Sequence, residues 1–80
     1  MKELDWLKYI IYDLPLREVN YGELQEIKKE WKKANATKIV HLEYKSEEIE
    51  IYKTKTDHLL IVQTEYLEED ETVYRVYTIP

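Results

Sequence analysis

The spacing of the apolar residues changes once along this chain, near Ala36, and that change dictates the class of fold. Before it, Leu24, Ile27, Trp31 and Ala34 recur at spacings of three, four and three, one stripe of an α-helix. After it, apolar and polar residues alternate in four short runs, 37–44, 48–54, 58–66 and 72–79, which is the pattern of β-strands. Helix first and strands after, with short gaps between the strands, predict an α+β fold built on antiparallel hairpins.

The helical stripe carries its own start and stop signals. Asn20 is a good N-cap, Glu23 three positions on completes a variant of the capping box, and Val19 and Leu24 can close a hydrophobic staple. Glu23 and Glu26 come early and Lys28, Lys29, Lys32 and Lys33 late, as the helix dipole favours. Asn35 suits a left-handed stop. The segment 3–13 fits two patterns. Leu4, Leu7, Ile11 and Leu14 keep a helical spacing, widened by Trp6 and Ile10, yet Tyr9, Ile10, Ile11 and Tyr12 also make a good strand quartet. Helix is the reading adopted, ended at Leu14 by Pro15. The expectation is a single domain over 1–80. One or two N-terminal helices (1–35) pack on a four-stranded antiparallel meander (37–80).

A two-residue turn at Ser46-Glu47 would pair Tyr44 with Ile49, Leu42 with Ile51 and Val40 with Lys53. One face then holds Val40, Leu42, Ile49, Ile51, Leu60 and Val62 beneath Trp31. The other holds Ile39, His41, Glu43, Glu50, Tyr52, Leu59, Ile61 and Gln63. The run 59–62 is apolar on both sides, so Leu59 and Ile61 need a cover. The first helix, a second copy of the chain or a partner would each provide one.

Composition narrows the function classes. Eighty residues bury roughly 60–65% of their unfolded surface, so the core is thin, and there is no cysteine to staple it. Abundant Glu and Lys with little Asn, Gln and Met resemble proteins from hot environments, where ion-pair networks contribute more. Residues 1–46 carry nine Lys/Arg against eight Asp/Glu, and residues 47–80 three against nine. Such an acidic second half repels phosphates and attracts a basic partner. Residues 1–14 lack the basic start and cleavage site of a secretory signal, and no apolar run approaches the ~18–20 residues of a membrane span. A cytoplasmic protein that does not engage a membrane is expected.

Catalysis finds little support. The only serine sits in a predicted turn, there is no cysteine, and one glycine cannot form a phosphate cradle or oxyanion elbow. His41, Glu43 and Glu50 share a predicted face and are the residues on which a divalent ion would depend, but a solvated edge hairpin, its glutamates answered by Lys45 or Lys53, is the stronger reading of them. The acidic run 68–71 lacks the spacing of a calcium loop and reads as a hairpin loop. No enzyme activity, cofactor or metal is therefore expected. The eight tyrosines, with no phenylalanine, suit half-wet positions and binding hot spots. The surface expected to contact a protein comprises His41, Glu43, Glu48, Glu50, Tyr52, Ile61 and Tyr77. The expected partner is a basic protein, with a homodimer as a further expectation. Direct nucleic-acid binding through the lysine-rich second helix is the alternative. In size and charge alone, the chain is similar to small accessory inhibitors of viral and mobile-element type, such as anti-CRISPR proteins. That resemblance carries over no residue.

Overall fold

A computed structural model describes residues 5–68 and 70–80. Seven elements follow in order: α1 (Asp5–Tyr12), β1 (Arg17–Val19), α2 (Tyr21–Lys33), β2 (Thr37–Tyr44), β3 (Glu47–Lys53), β4 (Leu59–Tyr66) and β5 (Thr72–Ile79). The strands form one antiparallel sheet in the order β1-β5-β4-β3-β2. The fold is thus α+β on an antiparallel sheet. The β2–β5 meander is present, and a fifth strand, β1, extends it along β5, pairing Arg17 with Val76 and Val19 with Tyr74. Leu4, expected in the first helical stripe, and Glu69, expected in the acidic loop, lie outside the described residues.

Helix α2 forms where its signals place it. The Asn20 side chain accepts a hydrogen bond from the Glu23 backbone N–H at 2.7 Å, satisfying one of the orphan donors of the first turn. Val19 and Leu24 are both buried in one cluster, as a staple requires. The Glu23 carboxylate does not fold back to close a capping box but pairs with Arg17 at 2.6 Å. At the far end Asn35 takes φ 61°. Its N–H bonds the Lys32 carbonyl and the Ala36 N–H bonds the Trp31 carbonyl, the double closure of a Schellman motif.

The two helices lie on opposite faces of the sheet. α2 brings Leu24, Ile27 and Trp31 against Val19, Leu60, Val62 and Val76, with Tyr52 and Tyr74 beside them. α1 brings Leu7 and Ile11 against Ile49, Ile51 and Ile61, with Val40, Leu42, Leu59, Tyr77 and Ile79 around them. This corrects the expectation of one core face shared by Leu42, Ile51 and Val62 under Trp31. Val62 lies under Trp31, and Leu42 and Ile51 lie under α1. The β3–β4 register decides it, because Ile51 pairs with Ile61 and Glu50 with Val62. The cover that Leu59 and Ile61 require is α1, within the same chain.

The first hairpin turns at Lys45-Ser46 rather than Ser46-Glu47. Tyr44 therefore pairs with Glu47, Leu42 with Ile49 and Val40 with Ile51, a slip of two residues from the expected register. A bulge between Lys38 and Val40 pushes Ile39 out, leaving it 52% exposed. Bulges and lysines along an edge strand are common devices against unwanted edge pairing.

Candidate functional site

α2 runs from the β1 edge toward the β2 edge and ends before Thr37, so it shields the β4, β5 and β1 side of its face more fully than the β2–β3 side. The alternation of the strands projects His41 and Glu43 from β2, and Glu48, Glu50 and Tyr52 from β3, onto this partly open half, and the bulge at Ile39 turns Lys38, opposite Tyr52, to the same side. Two groupings form there.

The first is a pocket of about 320 Å³ between α2 and the sheet, lined by Lys28, Trp31, Lys32, Ala36, Tyr52 and Leu60. Trp31 and Tyr52 are half-buried, and Leu60 beneath them is fully buried. Lys28 and Trp31, three apart on the helix, face the sheet together. A largely apolar cleft with a few charged groups at its mouth is the usual form of a ligand or side-chain site. Beside it stands Glu50, only 6% exposed. Its carboxylate accepts from the Tyr52 hydroxyl at 2.7 Å, lies 2.9 Å from Lys38 Nζ and 3.4 Å from Lys28 Nζ. Burial pushes this carboxyl up. Hydrogen bonds from Lys38 and Tyr52 and the charge of Lys28 outweigh burial, so the net direction is below the ordinary value. Burial, and then the Glu50 carboxylate, push the Tyr52 hydroxyl upward.

The second grouping lies toward the β2–β3 turn. Glu43 and Glu48 face each other directly across the strands. His41 Nε2 stands 3.5 Å from Glu43 Oε1 and 3.5 Å from Glu48 Oε2. The Tyr66 hydroxyl donates to the other oxygen of Glu48, at 3.2 Å. His41 and Glu43 are exposed and Glu48 partly so.

The α1 face has its own polar centre, Glu47, 5% exposed. It receives the Tyr12 hydroxyl, Gln63 Nε2 at 2.7 Å and Lys8 Nζ at 3.0 Å. Gln63 in turn accepts from Arg75 at 2.8 Å, and Arg75 also reaches Glu65 at 2.9 Å. Burial raises the Glu47 carboxyl, and the Tyr12, Gln63 and Lys8 hydrogen bonds bring it below its ordinary value. Among the described residues no buried side-chain nitrogen or oxygen lacks a partner. This network therefore serves the docking of α1.

Of the seven residues expected to share one surface, five do: His41, Glu43, Glu48, Glu50 and Tyr52. Ile61 and Tyr77 do not. They pair with each other across β4 and β5 and point to the α1 face, where Ile61 is 4% exposed. Glu50 shares the surface but turns its carboxylate onto two lysines rather than outward. The expected trio His41, Glu43 and Glu50 is replaced by His41, Glu43 and Glu48, because the two-residue slip brings Glu48 opposite Glu43. Lys28 and Lys38 were not among the expected site residues. The i, i+3 spacing of Lys28 and Trp31 was the available signal for the first. Comparison with known protein families, with curated proteins and with solved structures finds no match to this chain.

Proposed function

We propose that the chain is a non-catalytic protein-binding module that engages its partner with the β2–β3 half of the α2 face. The observation that carries this reading is the Trp31–Tyr52 pocket, which opens beside the edge strand β2. Tyr and Trp in partly desolvated pockets are the commonest binding hot spots, because each presents a large rigid surface at small entropic cost. The surface around the pocket is dipolar. Lys28, Lys32 and Lys38 stand at the pocket end, and Glu43 and Glu48 at the turn end. A fitting partner places an apolar side chain in the cleft and basic residues against Glu43 and Glu48, and the carboxylates speed and orient its approach. Within the hairpin Glu47 and Glu50 are turned onto lysines of the same chain. Occlusion of the partner's surface therefore fits better than imitation of a phosphate backbone as the action of a small inhibitor.

The test uses the chain as bait in a lysate of its native host, with mass spectrometry and nucleic-acid recovery from the same sample. Ala36→Leu fills the mouth of the cleft, and Glu43→Lys reverses charge at a largely exposed position. Tyr9→Ser alters a 72% exposed residue on α1 and serves as control. The expected outcome is a protein captured by the wild type and by Tyr9→Ser, but lost with the other two. Capture that survives Ala36→Leu and Glu43→Lys but not Tyr9→Ser would overturn the reading. Recovery of nucleic acid that weakens steeply with salt would instead favour the exposed Lys29, Lys32 and Lys33 of α2.

A further inference from the structure

We infer that His41, Glu43 and Glu48 form a binding site for a divalent transition-metal ion of zinc type. The inference stands on the geometry of these side chains and does not need the partner reading. Ligands held tetrahedrally at the ~2.0–2.2 Å of zinc–nitrogen and zinc–oxygen bonds stand about 3.3–3.6 Å from one another. Both His41 Nε2 to carboxylate separations are 3.5 Å. That is long for an N–H···O hydrogen bond, which runs at about 2.7–3.2 Å. All three ligand atoms lie within 4.8 Å of one another. The Glu43 side chain is 71% exposed, so no packing holds its carboxylate in place.

Two features make this more than a chance meeting of charges. Glu43 and Glu48 are a direct cross-strand pair, an arrangement in which like charges repel. A dication between them removes that cost. The Tyr66 hydroxyl occupies one oxygen of Glu48 and leaves the other turned to His41, the kind of outer hydrogen bond that orients a ligating carboxylate. The chemistry of the donors selects the ion. One imidazole and two carboxylates suit zinc and its neighbours, whereas magnesium and calcium call for six or more oxygen ligands. Three protein ligands leave a fourth position for water or for a group from a partner. A bound dication would also cancel the charge of Glu43 and Glu48, so the capture experiment is run with and without a chelator to keep the two readings separable.

The test is a zinc titration of the full chain, free of any affinity tag, followed by NMR of the two imidazoles. His58, in the turn between β3 and β4, is the internal control. The ring signals of His41 are expected to shift and saturate while those of His58 stay in place. Glu48→Gln keeps size and the Tyr66 hydrogen bond but removes the ligating charge. It should weaken binding by about tenfold or more, since even outer-sphere changes cost about 10–100-fold. Magnesium and calcium over the same range should leave His41 unmoved. Equal shifts at both histidines, no shift at His41, or an unchanged affinity in Glu48→Gln would overturn the site and leave an ordinary histidine–carboxylate ion pair.

Discussion

Glu47 and Glu50 are 5% and 6% exposed, and each is held by donors from outside its own strand: Lys8, Tyr12 and Gln63 for one, Lys28 and Lys38 for the other. Both carboxyls are held below their ordinary value of 4.5 in the folded chain. A lowered folded-state value means the unfolded chain binds protons first as pH falls. The stabilisation is therefore complete above that ordinary value and is lost as pH drops through the lower folded-state values. Denaturant unfolding followed from neutral pH downward should show stability falling below pH 4.5, and Glu50→Gln should flatten that slope. A slope unchanged by the substitution would show that Glu50 does not contribute to it. At the alkaline end the sign reverses. The hydroxyls of Tyr12 and Tyr52 are raised, so their stabilisation is present below their ordinary value of 10.0 and is lost as pH climbs above it.

At the scale of elements, α1 depends most on its surroundings. Eight residues are too few for a helix to persist alone in water. It is held by Leu7 and Ile11 against Ile49, Ile51 and Ile61, and by Lys8 and Tyr12, one turn apart, both reaching Glu47. Ile11→Ala, at a site 1% exposed, should cost about 2–5 kcal/mol in denaturant unfolding. A cost near zero would mean that α1 does not dock. α2, β2 and β5 were legible from residue order because caps and alternation mark them locally. β1 was not, since three residues are too few to show a period and its pairing with β5 joins distant segments of the chain. The hairpin register slipped for a different reason. A shift of two residues preserves the facing of every side chain, and Leu42 meets an isoleucine in either register, so the choice falls to the turn; the observed register also gives Val40 an apolar partner, Ile51, in place of the expected Lys53. Both faces of 59–62 are apolar, so pattern alone could not say which belonged with Ile49 and Ile51.

At the scale of the molecule, a sheet with one helix on each face meets internally the demand that had suggested a second copy. α1 covers Ile61 and packs beside Leu59. Trp6, Tyr9 and Ile10 on the outer side of α1 are 54%, 72% and 49% exposed, and they form the competing apolar surface. Much of the candidate site followed from strand parity, which places His41, Glu43, Glu48, Glu50 and Tyr52 together in both the expected and the observed register. The pairing of Lys28 and Lys38 with Glu50, the bulge that turns Lys38 to this face, and the placement of Ile61 and Tyr77 on the other face depend on long-range packing that no local pattern records. The chain's two tryptophans make the proposed contact directly measurable, because one lines the pocket and the other sits on the outer side of α1. The captured partner is added to the ¹⁵N-labelled chain, and the two indole N–H signals are followed. The Trp31 signal is expected to shift on binding while the Trp6 signal stays in place. Movement of Trp6 with Trp31 unchanged would contradict the proposed contact and assign the partner to α1.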